Sequence, residues 1–223
     1  MDKTKGVHFY VNIRNLMDVI SEEEEKDDDL KRTLHRLQTY FVGHTKLIKK
    51  YNGTIEKYSG GRSHILFEVD DDISYDEILE AVVACFIFNN NIFNNLTKYS
   101  MYPKFSVHAG IDYGDYFEYN IEDGINESEF TTIGRVANNS AKIQSYAPKN
   151  YIYITKKFYE KLDNDFKEVF IELTEEEKEE FNNKIRSKTF YKAHYNEIFD
   201  KDKMKEIEEG LSDVKERVEK ESR

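Results

Sequence analysis

One stretch of this chain carries its clearest structural signal, Phe130-Thr-Thr-Ile-Gly-Arg-Val-Ala-Asn-Asn-Ser-Ala-Lys-Ile143. The stretch is typical of a turn that leads into a helix. Asn138 and Lys142 are one helical turn apart, so an amide and an ammonium group project from the same helical face. Such a pair is suited to contact with phosphate, and we expect this helix to border a functional site.

Strand-like and helical patterns precede this stretch. Residues 7–13 are rich in β-branched and aromatic side chains, which predicts a buried strand. Apolar positions from Leu30 recur at helical spacing as far as Gly53, which predicts a long amphipathic helix. Residues 54–58 and 63–69 flank a Ser-Gly-Gly turn and therefore predict a β-hairpin.

The rest of the globular part continues the alternation of helices and strands. The predicted elements are a helix over 74–99, a strand pair over 105–112 and 116–119 separated by Gly114, a helix over 134–147, a strand over 151–154, a short helix capped by Thr155 that ends at Leu162, and a last strand over 188–194. The order β-α-ββ-α-ββ-α-β predicts the α+β class. We expect a ferredoxin-like, palm-type antiparallel sheet with helices packed on one face.

The chain divides into three predicted segments. Residues 1–165 form the main domain, residues 166–195 add a terminal strand and helix that complete it, and residues 196–223 form a charged amphipathic helix. That helix has an apolar seam, which consists of Met204, Ile207, Leu211, Val214 and Val218. The seam has two interpretations: it packs on the parent domain, or it forms a coiled coil with a partner.

Charge and cysteine content narrow the functional class. Charged residues make up 35% of the chain and the formal net charge is -11, which argues against a nucleic-acid-binding surface. A nucleotide site would need a local basic island. Cys85 lies in an apolar run and is expected to pack in the core of a protein in a reducing compartment. We see neither a signal-peptide pattern nor a membrane-spanning apolar stretch, and expect a cytoplasmic protein.

Four segments resemble, in order, the catalytic domain of class III adenylate and guanylate cyclases. They are Phe-Tyr-Val-Asn-Ile-Arg-Asn at 9–15, Tyr-Asn-Gly-Thr-Ile-Glu-Lys-Tyr-Ser-Gly-Gly at 51–61, the strand at 107–114 with Asp112 in place of the family histidine, and the stretch at 130–143. The resemblance extends from residue 9 to about residue 162. It implies the cyclase fold, a nucleoside triphosphate as ligand, and a site shared between two chains.

The positions that hold metal ions in this family are altered. There, a carboxylate on the first strand and another after the hairpin glycine bind two divalent cations. Here these positions carry Asn12 and Gly61, and a hairpin shifted by one residue would place Arg62 there. None of the three offers the anionic oxygen that Mg²⁺ prefers. We expect no metal ligands in this chain, with Mg²⁺ or Mn²⁺ supplied only by a partner subunit or the bound nucleotide, although Asp18 is an unaligned acid that could take part.

The other functional positions of the family are occupied by suitable residues. By resemblance, Lys57 and Thr131 contact the base, Asn138 orients the ribose, and Lys142 replaces an arginine that neutralises charge on the phosphates. The nucleotide-binding residues that the resemblance implies are Lys57, Thr131, Asn12, Gly60, Gly61 and Arg62, with Asn138 and Lys142 as the catalytic pair. The alternative for each is an exposed polar residue on an ordinary hairpin or helix.

Three functions remain open from the sequence. The first is a cyclase subunit that supplies the non-metal half of a homodimeric or heterodimeric site. The chain also resembles the pyrimidine cyclases of antiphage signalling. The second is a catalytically inactive pseudo-cyclase that senses nucleotides or binds proteins. The third is an adaptor that acts through the seam from Met204 to Val218. A membrane and nucleic acid are not expected as partners.

Overall fold

The computed structural model describes residues 3–23, 29–69, 74–122, 128–179, 181 and 189–222. Within these ranges, eight strands form one sheet. The strands are β1 (Lys3–Ile13), β2 (Thr54–Ser59), β3 (Arg62–Glu68), β4 (Val107–Glu122), β5 (Ser128–Ile133), β6 (Tyr151–Thr155), β7 (Ile171–Glu172) and β8 (Phe190–His194). Their order is β2-β3-β1-β4-β6-β8-β7, and β5 pairs with β4. The β4–β6 pair is parallel and the other pairs are antiparallel.

Helices connect the strands much as the sequence predicts. They are α1 (Leu16–Glu23), α2 (Asp29–Lys50), α3 (Tyr75–Ile87), α4 (Arg135–Tyr146), α5 (Lys156–Tyr159), α6 (Asn164–Val169), α7 (Glu175–Glu179), α8 (Lys201–Gly210) and α9 (Ser212–Glu221). Helix α3 begins at a capping box between Ser74 and Glu77. None of the helices in the described ranges combines the length and apolar character needed to cross a lipid bilayer.

The helix predicted over 74–99 is regular only as far as Ile87. Beyond it, the chain continues in short π and 3₁₀ turns to Tyr99. Two buried amides account for this irregular path, because the side chains of Asn89 and Asn94 each donate to the backbone oxygen of Phe105, at 2.9 and 2.8 Å. These contacts join the segment to the residues just before β4, and helical spacing alone could not predict them.

Alternation along β1 separates the two faces of the sheet. Val7, Phe9 and Val11 belong to the main core, to which α2, α3, α8 and α9 contribute. The intervening residues of β1 point to the opposite face, where α4 lies. There the backbone of α4 approaches Gly110 so closely that a Cβ atom at this glycine would be 2.4 Å from the Gln144 nitrogen. The α+β class is confirmed, but the helices do not all pack on one face, since α4 covers the second.

Two further predictions about the second half of the sheet differ in detail from the structure. Gly114 does not separate two strands: it pairs with Gly6 in the middle of a continuous β4, and the distal part of β4 pairs with β5 instead. Thr155 is at the N-cap position of the short helix α5, as predicted, but its side chain makes no capping hydrogen bond. Its hydroxyl instead donates to the buried carboxylate of Asp112 at 2.5 Å.

The C-terminal seam packs on the domain itself. Ile207, Leu211, Val214 and Val218 are at most 3% exposed and belong to the same core cluster as the residues of β1. Helices α2 and α9 meet at Gly43, where a Cβ atom would be 2.5 Å from Val218 Cγ1. Of the two interpretations of the seam, packing on the parent domain is therefore correct. The same contacts cover the surface that the adaptor hypothesis requires.

Candidate nucleotide site

The two positions that the motif resemblance assigns to the metal carboxylates of the cyclase family adjoin in the structure. Asn12 on β1 pairs with Arg62 at the start of β3, and the Ile13 nitrogen donates to the Gly61 oxygen at 2.9 Å. A Cβ atom at Gly61 would lie 3.4 Å from Asn12 Oδ1. The fold therefore brings the predicted positions Asn12, Gly61 and Arg62 together, as the resemblance implies.

Asn12 belongs to a buried network centred on His108. The Asn12 Nδ2 and Gln144 Nε2 atoms lie 3.1 and 2.6 Å from His108 Nε2, and His108 Nδ1 lies 2.6 Å from the Ala147 oxygen. Because a carbonyl oxygen only accepts, the proton is on Nδ1 and Nε2 accepts from the amides. Burial lowers the pKa of His108 to about 4; the hydrogen bond to Ala147 opposes this shift, and the charges of Arg14 and Arg62 add to it. His108 is therefore neutral at pH 7.

A cavity of about 550 Å³ opens beside this network, and we call it the Asn12 cavity. Its charged lining residues in the described ranges are Arg14, Arg62, Lys149 and Asp18. Three cations thus face one carboxylate beside the positions that the motif resemblance assigns to metal binding. A divalent cation would be repelled by such a lining, whereas an anion would be attracted.

A second cavity, of about 590 Å³, lies between β4 and α4, and we call it the Asn138 cavity. Asn138 lines it, and Lys142 is exposed one turn further along the same face of α4, as the sequence predicts. The carboxylate of Asp112 lies in its wall and accepts from Thr155 and from Asn139 Nδ2, the latter at 3.0 Å. Burial raises the pKa of Asp112, although these hydrogen bonds oppose the shift.

A β-bulge at Glu56 changes the predicted base contacts. The register shifts between Ile55 and Lys57, so that Glu56 is the extra residue of β2. The Glu56 carboxylate accepts from Thr131 Oγ1 at 3.1 Å and from Thr132 Oγ1 at 2.6 Å. Lys57 is exposed on β2. Thr131, which is predicted to contact the base, thus donates to Glu56, the residue that precedes Lys57 in the sequence.

Glu56 also contacts a pair of histidines that are far apart in the sequence. Its Oε2 atom is 2.9 Å from His64 Nδ1, and His64 Nε2 is 2.9 Å from His8 Nδ1. Burial raises the pKa of Glu56, but hydrogen bonds from His64 and Thr132 outweigh it and lower the pKa to about 2. Ligand atoms of His8, Glu56 and His64 lie within 4.8 Å of one another, and within the described ranges this trio is the group that could hold a metal ion.

The predicted residues do not all meet in one place on this chain. Asn12 and Arg62 line one cavity, whereas Asn138 lines the other. Sequence reasoning missed Arg14, Glu56, His108 and Gln144. Arg14 could have been found, because it is two residues after Asn12 near the end of a strand and so falls on the same side. The other three depend on a bulge, a strand register and a helix contact that leave no local signal.

Comparison with known proteins supports the fold. No family model matches the sequence, and no curated protein matches it. Adenylyl cyclase CyaB from P. aeruginosa has a similar structure, with a TM-score of 0.65 and 20% identity over 86% of this chain and 94% of that chain. The guanylate cyclase domain of RhGC from Catenaria anguillulae, in complex with GTP, gives a TM-score of 0.67 and 12% identity over 86% and 97% of the two chains. The resemblance inferred from the four motifs is confirmed as to fold.

Proposed function

We propose that this chain, which has the fold of class III nucleotide cyclase catalytic domains, takes part in converting a nucleoside triphosphate into a cyclic mononucleotide and pyrophosphate. Its part is that of the half-site without metal carboxylates. One observation carries the proposal: Asn138 lines an open cavity and Lys142 lies exposed one turn further along the same face of α4, whereas the Asn12 cavity has a basic lining.

The separation of the two cavities supports a site that two chains complete. A ligand in the Asn138 cavity would contact the amide of Asn138 but neither Asn12 nor Arg62, which line the other cavity. The residues that face its remaining surface would come from a second chain. For catalysis, that chain must bring carboxylates that bind Mg²⁺ or Mn²⁺, because in a homodimer the opposing Asn12 cavity would offer Asp18 as its one lining carboxylate among the described residues. We therefore propose a heterodimer with a carboxylate-bearing cyclase chain.

The chemistry assigns a simple part to each residue. The ribose 3'-oxygen forms a bond to the α-phosphorus while the bond from that phosphorus to the β-phosphate oxygen breaks, and the 3'-hydroxyl proton passes to solvent or to a base of the partner. Asn138 orients the ribose, and Lys142 balances negative charge on the phosphates. Since a lysine lacks the planar fork of arginine, we expect slower turnover than with arginine at position 142.

An assay with all four nucleoside triphosphates and Mn²⁺ tests this function. The purified chain would be incubated alone and with a cyclase chain encoded beside it, and cyclic products would be measured by mass spectrometry. We expect product only in the mixture, and at least tenfold less with Asn138→Ala or Lys142→Ala. Lys215→Ala, an exposed lysine on α9, is the control for loss of one charge. Absence of every cyclic product in every mixture would refute the proposal, and cyclic UMP or CMP would support the link to antiphage signalling.

A pseudo-cyclase that senses nucleotides is the second candidate. The basic lining of the Asn12 cavity favours it, because it accounts for nucleotide binding without metal chemistry. Calorimetry would then detect binding in the same samples without turnover. The double variant Asn12→Asp with Gly61→Asp would restore some product only if the fold still allows two metal ions. A Cβ atom at Gly61 would lie 3.0 Å from Leu16 Cδ2, so this variant requires a small local shift.

A further inference from the structure

We infer that the Asn12 cavity binds a polyphosphate group directly on Arg14, Arg62 and Lys149, without a divalent metal ion. The inference concerns the cavity whose basic lining also favours the second candidate above, and it adds the chemical group that is recognised and its independence of Mg²⁺. It holds whether or not the chain forms a cyclic nucleotide.

The charge of the cavity is the first argument. The chain as a whole has a formal net charge of -11, yet the described lining of this cavity contains three cations and one carboxylate, Asp18. The cations come from three separate parts of the fold: the end of β1, the start of β3 and the loop after α4. Clustering of like charges is costly unless an anion compensates it, so an acidic protein that gathers them around a concave surface is suited to an anionic ligand.

The two arginines are held in place by contacts within the protein. Arg14 donates to the Ala147 oxygen at 3.1 Å, and the Arg62 guanidinium lies 5.7 Å from the centre of the Tyr10 ring. A guanidinium has five N–H donors, so one bond to Ala147 leaves Arg14 with others for phosphate oxygens. Because each side chain already has a contact within the protein, less conformational entropy is lost on binding than with an unrestrained side chain.

The floor of the cavity is neutral and polar. His108 is 2% exposed, carries no charge at pH 7, and is joined to Asn12 and Gln144. Arg14 and Arg62 line the same cavity as His108, and their charges add to the lowering of its pKa that burial causes. Gln144 is fully buried, and its Oε1 atom has no hydrogen-bond partner among the described residues.

Metal-free binding follows from the same lining. Where the family positions two carboxylates, Asn12 offers an amide and Gly61 no side chain. Among the described residues, Asp18 is the one lining carboxylate; it is exposed, so water would compete with it for Mg²⁺. Phosphate oxygens therefore find their positive partners in the protein itself. Mg²⁺ bound to the polyphosphate would reduce the charge of the ligand and weaken this contact.

Isothermal titration calorimetry with sodium tripolyphosphate in EDTA tests the inference on the full chain. A second titration uses a nucleoside triphosphate, and both are repeated with Mg²⁺ and at higher salt. We expect binding in EDTA that becomes weaker with Mg²⁺ and with salt. Equal affinities for the two ligands would mean that the phosphates alone are recognised, and tighter binding of the nucleotide would mean that the nucleoside is recognised as well. Both results support a polyphosphate site.

Variants locate the site. We expect Arg62→Ala to weaken binding about tenfold or more, Arg62→Lys to restore part of it, and Lys149→Ala, an exposed loop residue, to weaken it severalfold. Lys215→Ala removes the same charge on α9 and should leave affinity unchanged. Melting temperatures equal to that of the unaltered chain would exclude misfolding, and Lys149→Ala provides the test if Arg62→Ala does not fold. Binding that requires Mg²⁺, no binding of either ligand, or equal affinity in all variants would overturn the inference. The dimer assay with four triphosphates has an independent outcome.

Discussion

Replacing Gly110 by alanine should destabilise the protein strongly, because α4 leaves no room for a methyl group. Gly110 lies in β4, opposite Tyr10 of β1. A Cβ atom there would be 2.4 Å from the Gln144 nitrogen, 2.5 Å from the Ser140 oxygen and 2.7 Å from the Gln144 Cα. All three are backbone atoms, and favourable contacts between carbon atoms require about 3.5–4.0 Å. No side-chain rotation can relieve the clash.

The size of the effect follows from this distance. Helix α4 would have to move by roughly 1 Å away from the sheet, since the strand is held by β1 and β6 on either side. Overpacking of a core typically costs about 1–3 kcal/mol, and we expect the upper end because the helix backbone itself must shift. For a chain of this size, about 3 kcal/mol corresponds to a fall of roughly 6–12 °C in melting temperature.

Gly114→Ala is the matched control on the same strand. The nearest atoms to a Cβ there are Val136 Cβ at 3.6 Å and Lys157 Nζ at 3.8 Å, which are ordinary contacts. Neither Gly110 nor Gly114 has a positive φ angle, so alanine strains neither backbone. We expect this variant to be neutral or stabilised by about 0.5–1 kcal/mol. Thermal and urea unfolding of both variants measures the difference, and equal stability of Gly110→Ala and Gly114→Ala would refute the reasoning.

Three further predictions concern stability. His44 is fully buried and burial lowers its pKa to about 3, so the unfolded chain binds a proton below about pH 6.5 that the folded chain does not. Stability should therefore fall as the pH drops from 6.5 towards 3, by up to about 1.4 kcal/mol per pH unit for this residue, and urea unfolding of His44→Leu should show a shallower pH dependence. Because the pKa of Glu56 is lowered to about 2, its ionised carboxylate stabilises the folded chain above about pH 4.5, and this stabilisation is lost as the pH falls to 2. Glu56→Gln should therefore lower the free energy of unfolding by roughly 1–3 kcal/mol at pH 7 and leave it unchanged in acid. Leu211 is fully buried in the seam, so Leu211→Ala should cost about 2–5 kcal/mol in denaturant unfolding, whereas Lys215→Ala should change stability by less than about 0.5 kcal/mol.

Local patterns predicted most elements of the fold. The hairpin around the Ser-Gly-Gly turn, the helix that ends near Lys50 and the helix after Gly134 all lie where hydrophobic period and turn residues indicate. The errors concern contacts between distant segments. Gly114 is typical of a strand break, yet it continues β4 because Gly6 pairs with it across β1. In the sequence, Asn89 and Asn94 look like ordinary helical residues. Their structural role depends on the Phe105 backbone, which the fold places beside them.

The roles assigned to the candidate site residues stay predictions, and the structure decides only which of these residues are neighbours. Motif spacing assigned Asn12 and Gly61 to neighbouring positions, and the structure has them adjacent. It assigned Thr131 to a base contact, but a β-bulge presents Glu56 to its hydroxyl. A bulge adds one residue to one strand, and its position depends on how both strands pack, so no property of the residues around Glu56 indicates it.

The residue types at positions 12 and 61 follow from the chain alone, and the motif resemblance predicts that an amide and a bare backbone stand where the cyclase family has carboxylates. It depends only on the residue types in the motifs and needs no knowledge of the folded structure. The basic character of the Asn12 cavity needed the folded chain, because it depends on Arg14, Arg62 and Lys149 approaching one another from three segments. Such proximity is created by strand register and by the contact of α4 with the sheet, and these long-range contacts have no counterpart in local periodicity.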